Sequence, residues 1–336
     1  MAYVDDKDAL RALDWSKVED EMDLKVWRRA NTNQWLPEKI ALSKDRRPWA
    51  SDLNDEERLI TMRVFGGLTL LDTSQTQIGC RALMKYCLTP HEDSVLAQFD
   101  YMEAVHTQTY STIFMTLTGA SLIAMTFRWV ETDPCLQKKA RLIVDAYKSE
   151  DPLKVRIASV FLESFLFYSG FYWPLYLLSR NLLTATATAI KLIIRDEAVH
   201  GFYIGYKFRK AFAMETSERQ EEIQAFAYDL LMELYENELL YTEQMYSSVG
   251  LVEDVGAFLR LNANKALSNL GMSPVFPDSE CQVNPGILRS MRSDSKTVHD
   301  FFSVEGASYF MPVFEDTVDA DWAHDPETDE RLAVYA

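Results

Sequence analysis

The sequence predicts an all-α protein, a bundle of long helices with a dimetal carboxylate site in its core. Three observations predict it. Two copies of Glu-x-x-His, Glu103-Ala104-Val105-His106 and Glu197-Ala198-Val199-His200, sit inside long helical stretches of a chain with only five histidines. Residues three apart on a helix share a face, so each pair offers a carboxylate and an imidazole to one point. Only 12 Gly and 11 Pro occur in 336 residues, mostly near the ends of periodic segments, which favours long helices over short strands. Asp72 and Glu163 fall among apolar positions of two further helical runs, completing the ligand recipe for two metals in a bundle.

The elements follow in order. Before residue 50 the chain reads as irregular segments and short helices, including Asn33-Gln34-Trp35-Leu36-Pro37. Asn54 with Glu57 resembles a capping box and opens a helix over about 56–86. Thr89-Pro90-His91-Glu92, with Pro at the first helical position, opens one over 91–117. Runs over 152–180 and 186–212 follow, then 217–246 behind Ser217-Glu218-Arg219-Gln220, and a shorter one near 252–269. After about 273 the pattern is broken by Pro274, Pro277 and Pro285, and Glu315 to Glu330 is rich in Asp and Glu. The expectation is one helical domain over 1–285, with 1–50 as an N-terminal arm, and a flexible acidic tail over 286–336.

Composition narrows the function. A net charge of −17 argues against nucleic acid, which needs a basic footprint, and against anionic membranes. The 23 residues between Arg156 and Arg180 carry one charge, Glu163, and are long enough to span a bilayer. The charge near their middle, with Tyr168, Tyr172 and Pro174 nearby, favours the buried central helix of a large soluble bundle. Cys80, Cys87, Cys135 and Cys281 have no CxxC spacing and read as reduced thiols. The N-terminus lacks the basic and apolar regions of a signal peptide, so a cytoplasmic protein is expected.

Asp72 shares an apolar stripe with Val64, Phe65, Leu68 and Leu71, and Glu163 is flanked by Val160, Phe161, Phe165 and Phe167. A carboxylate among core positions costs several kcal/mol unless it is paired or ligates a cation. Glu197 and His200 lie with Ile190, Ile193 and Ile204, while Glu103 and His106 lie with Tyr110 and Phe114. Two divalent cations explain all six. By contrast, Glu233, Glu236 and Glu243 form an acid-dense run without His, read as a solvated face, and His91 and His299 read as structural. No Cys belongs to the set, which argues against structural zinc, and calcium or magnesium would not need imidazole. Oxygen-rich ligands with one nitrogen per metal suit Fe or Mn. Tyr110, four residues beyond His106 on the same face, would stand beside the metals without ligating them. Phe167, Phe171 and Ile193 would make a dry pocket around its ring.

These residues resemble the radical-generating small (β) subunit of class I ribonucleotide reductase, most closely class Ib. The segments that carry the resemblance are Gly67–Asp72, Phe99–His106, Ser159–Phe165 and Ile194–Gly201, and it runs from about Trp15 to about Phe310. It implies a ferritin-like homodimer in which Asp72, Glu103 and His106 serve one Fe or Mn ion, and Glu163, Glu197 and His200 the other. Tyr110 would hold the radical. Trp35 and Asp196 would start a relay that Tyr309 passes on to the large catalytic subunit, where ribonucleotides are reduced. Manganese assembly would call on a flavodoxin-like activator protein that delivers an oxygen-derived oxidant. The chain continues 14 residues past Trp322 to Tyr335-Ala336, a departure from the family pattern that leaves the docking segment open and makes Tyr335 a lesser relay candidate. Two other functions fit such a scaffold: a dimetal ligand-binding oxidase or monooxygenase, and iron storage.

Overall fold

A computed structural model describes residues 12–291, and every regular element among them is helical. The N-terminal arm holds α1 (Glu21–Thr32), two 3₁₀ turns at Pro37–Lys39 and Leu42–Asp45, and α2 (Arg46–Ser51). Trp35 lies in the irregular link after α1. The centre is two packed pairs: α3 (Asp55–Ser74) against α5 (Pro90–Leu117), and α8 (Pro152–Phe161) against α10 (Thr184–Phe212). The pairs meet through α10 on α5 and through α9 (Tyr168–Ser179) on α3. Helices α11 (Ser217–Tyr246) and α12 (Val252–Asn269) pack on each other and on α8.

The helix starts behave largely as their sequences predict. Asn54 and Glu57 form a reciprocal capping box, and the Thr89 hydroxyl accepts from the Glu92 N–H at 3.0 Å. The start of α11 is capped one residue earlier than expected, by Thr216 accepting from Arg219 N–H. Helix α10 has no cap of its own. Leu183 stands there in the left-handed region at φ 44°, and the N–H groups of Ala185 and Thr186 donate to Asp45, at 3.2 and 2.6 Å.

Two predicted helices are interrupted. The 56–86 run breaks at a π-helical turn, Gln75–Gly79, before α4 (Cys80–Met84), and the 152–180 run breaks at another, Leu162–Leu166. A π turn adds one residue, shifts every later side chain around the axis, and is frequent at functional sites. Asp72 lies just before the first and Glu163 inside the second. Two helices occupy a stretch for which no run was predicted, α6 (Ala120–Thr132) and α7 (Pro134–Tyr147). In α6 only Thr126 and Val130 are buried, so it presents no core stripe to read.

Every residue from Val155 to Leu175 is buried, as expected of a central helix. No helix among the described residues is long and apolar enough to cross a membrane. Gly205 lets α10 approach α12, since a Cβ there would lie 2.8 Å from the Asn269 carbonyl carbon. Glu233, Glu236 and Glu243 are exposed, as read, but Glu238 in the same run is fully buried and paired with the equally buried Lys139 of α7. The helix α13 (Pro285–Met291) packs on α9 with Ile287 and Met291 buried, so folded structure continues past the expected boundary at 285. His299, Tyr309, Trp322, Tyr335 and most of the acidic tail lie outside the described residues.

Helix α1 is tied down by charge. Asp23 accepts from Thr89 and from Tyr203 (2.8 Å) and pairs with Lys207 at 2.5 Å. Asp20 accepts from Lys207 at 2.9 Å and Lys210 at 3.0 Å. Burial alone would raise the Asp20 carboxyl, but those lysine hydrogen bonds more than offset it and hold it at about 2. A depressed carboxylate stabilises the fold above its unfolded pKa and loses that contribution as pH falls through the folded one. The gap in thermal midpoint between wild type and Asp20→Asn should therefore be steady above 3.8 and shrink as pH drops toward about 2. A gap that stays constant through that window would reject the assignment.

Candidate metal centre

The six predicted ligands converge from separate helical segments. Asp72 comes from the last turn of α3, Glu103 and His106 from the middle of α5, Glu163 from the π turn after α8, and Glu197 and His200 from α10. None is more than 2% exposed. Their ligand atoms form two groups, each with all atoms within 4.8 Å of one another: Asp72, Glu103, His106 and Glu197, then Glu103, Glu163, Glu197 and His200. Glu103 and Glu197 belong to both, so the two groups of donors overlap, each expected triad being joined by one carboxylate of the other. His106 Nδ1 lies 3.0 Å from Glu197, 3.4 Å from Glu103 and 3.6 Å from Asp72. His200 Nδ1 lies 2.8 Å from Glu103, 3.2 Å from Glu197 and 3.6 Å from Glu163.

The donor set fits a pair of cations. Both carboxylate oxygens of Asp72, Glu103 and Glu197, together with Glu163 Oε2 and Nδ1 of both histidines, are buried without a hydrogen-bond partner. Orphaned buried polar atoms cost about 1–3 kcal/mol each, more when charged, so a cluster of this size needs an occupant. The protonation equilibria agree. Burial, then the Glu103 charge, raises the Asp72 and Glu163 carboxyls well above the usual range. Burial disfavours charge on both imidazoles, but the surrounding carboxylates more than offset it and shift both well above the ordinary histidine range. Without metal, the cluster collects protons where cations would sit.

The surroundings are equally specific. His106 turns its other nitrogen to Asp196 at 3.4 Å, and the same Asp196 oxygen accepts from Trp35 Nε1 at 2.6 Å. The Trp35 and His106 rings stack with centroids 6.0 Å apart. A carboxylate behind a ligand imidazole fixes its ring orientation and basicity. The second Asp196 oxygen is held by Arg195, which also reaches the Asn33 carbonyl beside Trp35. Tyr110 is fully buried, with Phe65 stacked on its ring at 6.0 Å and the Asp72 carboxylate interacting with its hydroxyl. Burial, then the Asp72 and Glu197 charges, drives its phenol pKa well up. Phe167, Phe171 and Ile193 are also fully buried.

Sequence reasoning gave no role to four neighbours: Phe65, Arg195, Phe99 (its ring 4.0 Å from that of His200) and Gln75. Phe65 was read only as part of the Asp72 stripe, Phe99 and Arg195 lie in segments that carry the resemblance, and Gln75 left no signal. Tyr309 lies outside the described residues. The four cysteines are free, as expected.

Comparison with known proteins agrees with this geometry. Residues 12–285 match the family described as ribonucleotide reductase, small chain. The ribonucleoside-diphosphate reductase 2 subunit beta of Escherichia coli (strain K12) is 51% identical over 313 residues, covering 93% of this chain and 98% of that one. The subunit beta of Mycobacterium leprae is 48% identical, covering 94% and 97%. Among solved structures, the dimanganese(II)-NrdF of Streptococcus sanguinis superposes with a TM-score of 0.82 at 48% identity, covering 84% of this chain and all of that one. The fold is thus the ferritin-like helical bundle expected from the resemblance, with a dinuclear carboxylate site in its core. The chain belongs to the ribonucleotide reductase small-chain family.

Proposed function

We propose that this chain is a class Ib small subunit in which Tyr110 carries the radical, and Trp35, Asp196 and Tyr309 relay its oxidising equivalent outward. Membership of the family makes it the radical-generating subunit of a ribonucleoside-diphosphate reductase, a homodimer that works with a large catalytic subunit. The observation that carries the reading of Tyr110 is its place: a fully buried phenol on the helix that supplies Glu103 and His106, with the Asp72 carboxylate bearing on its hydroxyl. When bound, the two metal ions supply the oxidising power. Tyr110 must lose its phenolic proton along with an electron, and Asp72 is the carboxylate that bears on that phenol most strongly. Exclusion of water by buried Phe65 and its neighbours then protects the radical from quenching. Asp196 joins Trp35 to His106 through one shared oxygen, so charge and proton shifts at the ligand are felt at the indole. Tyr309 enters from the family motif, and the acidic tail beyond it is assigned to docking the large subunit.

The ligand set accepts Fe or Mn. The manganese form of the streptococcal relative supports manganese in this chain. The proposal adds a flavodoxin-like activator as third partner and a cytoplasmic holoenzyme. Radical yield by electron paramagnetic resonance, alongside reductase turnover with the large subunit, tests the reading. Protein loaded with Fe(II) and exposed to dioxygen should form the radical, whereas Mn(II) protein should need the activator. No radical under any of these conditions would overturn the function. Full radical from Mn(II) and dioxygen alone would remove the activator.

A further inference from the structure

The four cluster carboxylates are not equivalent. Asp72, Glu103 and Glu197 each leave both oxygens without a hydrogen-bond partner, whereas Glu163 leaves only Oε2. Its Oε1 accepts from the Gln75 amide at 2.5 Å. The second amide N–H of Gln75 reaches Ser159 Oγ at 3.0 Å, and Tyr147 donates its hydroxyl to the Gln75 carbonyl oxygen at 2.5 Å. Gln75, Ser159 and Tyr147 are all buried. A ligating carboxylate is ionised and can only accept, so the amide must face it with N–H, and its carbonyl must then take a donor from behind. Tyr147 is that donor, and it fixes which way the amide points.

The backbone is shaped to seat this arm. Gln75 and Gly79 begin and end the π turn that follows α3. A Cβ at Gly79 would collide with the Gln75 carbonyl oxygen and lie 2.8 Å from the Tyr147 ring. Glycine there makes room for the Gln75–Tyr147 hydrogen bond.

We propose that Gln75, oriented by Tyr147 and seated by Gly79, is a positioning residue that occupies Glu163 Oε1 and restricts Glu163 to offering a single oxygen to the cation beside His200. The inference rests on the dimetal reading of the site. Freed from Gln75, Glu163 could swing or offer both oxygens, and the ion held by Glu103, Glu163, Glu197 and His200 would lose its defined partner.

The test is titration of full-length protein with Mn(II), following free ion by its electron paramagnetic resonance signal. Removing groups behind a ligand typically costs about 10–100-fold in metal affinity. Gln75→Leu should lose affinity for one ion of the pair by about that factor and keep the other, with the signal of the coupled pair giving way to that of an isolated ion. Tyr147→Phe, which leaves the amide but not its orienting donor, should shift the same ion by less. Gly79→Ala should reproduce the Gln75→Leu pattern from the opposite side. A general packing defect would weaken both ions together, so loss of one alone is the signature. Should Gln75→Leu fail to fold, Tyr147→Phe decides. Wild-type affinity for both ions in these variants, or equal loss of both, overturns the inference. Failure of the wild type itself to bind a pair of ions would instead overturn the dimetal reading.

Discussion

Tyr110→Phe should abolish the radical signal and reduce ribonucleotide turnover by at least about 10³-fold, equivalent to about 4 kcal/mol of barrier, while leaving metal content unchanged. The substitution removes one oxygen from a fully buried ring stacked on Phe65 and leaves the shape of the site intact. The phenol is not one of the six side chains proposed as ligands. Phenylalanine cannot release a proton with its electron, so oxidation of the ring is closed at accessible potentials. Stability should change little, since the variant loses one oxygen without opening a cavity and gives up only the hydroxyl's interaction with Asp72. Spectra of the oxidised variant, its metal content and its thermal midpoint check the three statements separately. A wild-type signal in Tyr110→Phe would place the radical elsewhere, and Tyr147, hydrogen-bonded through Gln75 to Glu163, would be the next residue to examine.

What could be read from the chain follows from what burial does to pattern. A carboxylate on an apolar stripe is a visible anomaly, and so Asp72 and Glu163 stood out beside the two Glu-x-x-His pairs. The two π turns left no such mark, because an added residue in one turn changes neither composition nor the look of the stripe. Gln75 was hidden for a related reason, since an amide on a helix is unremarkable until its partners are known. The overlap of the two donor groups at Glu103 and Glu197 depends on angles between helices, which spacing along each helix cannot supply. Contacts between residues distant in the chain were equally silent: Asp45 capping α10, and Lys139 meeting Glu238 within an acid-rich run that otherwise faces solvent. The apolar stretch around Glu163 shows the reverse case. Its composition alone allows a membrane span, and the carboxylate near its middle is the clue to a helix buried in the bundle.

Sharing has a measurable consequence at Glu197. Glu197→Ala should bind neither ion tightly, whereas Asp72→Ala should weaken one, because Glu197 belongs to both groups and Asp72 to a single group. Metal content after desalting distinguishes the two variants, and retention of both ions by Glu197→Ala would refute the shared site. Stability should separate them as well. A ligand that binds only the native state stabilises it by about 2.7 kcal/mol at one hundred times its Kd. Wild-type protein should therefore melt higher when Mn(II) is added, and Glu197→Ala should show almost no shift. The metal-free proteins should differ less once volume is preserved. Glu197→Gln keeps the shape of the side chain and removes its charge without leaving a cavity. In the metal-free protein that carboxylate lies 3.0 Å from His106 Nδ1 and 3.2 Å from His200 Nδ1, and an imidazole that loses such a partner can stay neutral, which limits the cost. Metal-free Glu197→Gln should accordingly melt close to metal-free wild type, and the gap should open when Mn(II) is present. A gap that does not change with metal would mean that the carboxylate cluster is held by the fold alone and not by the ions it surrounds.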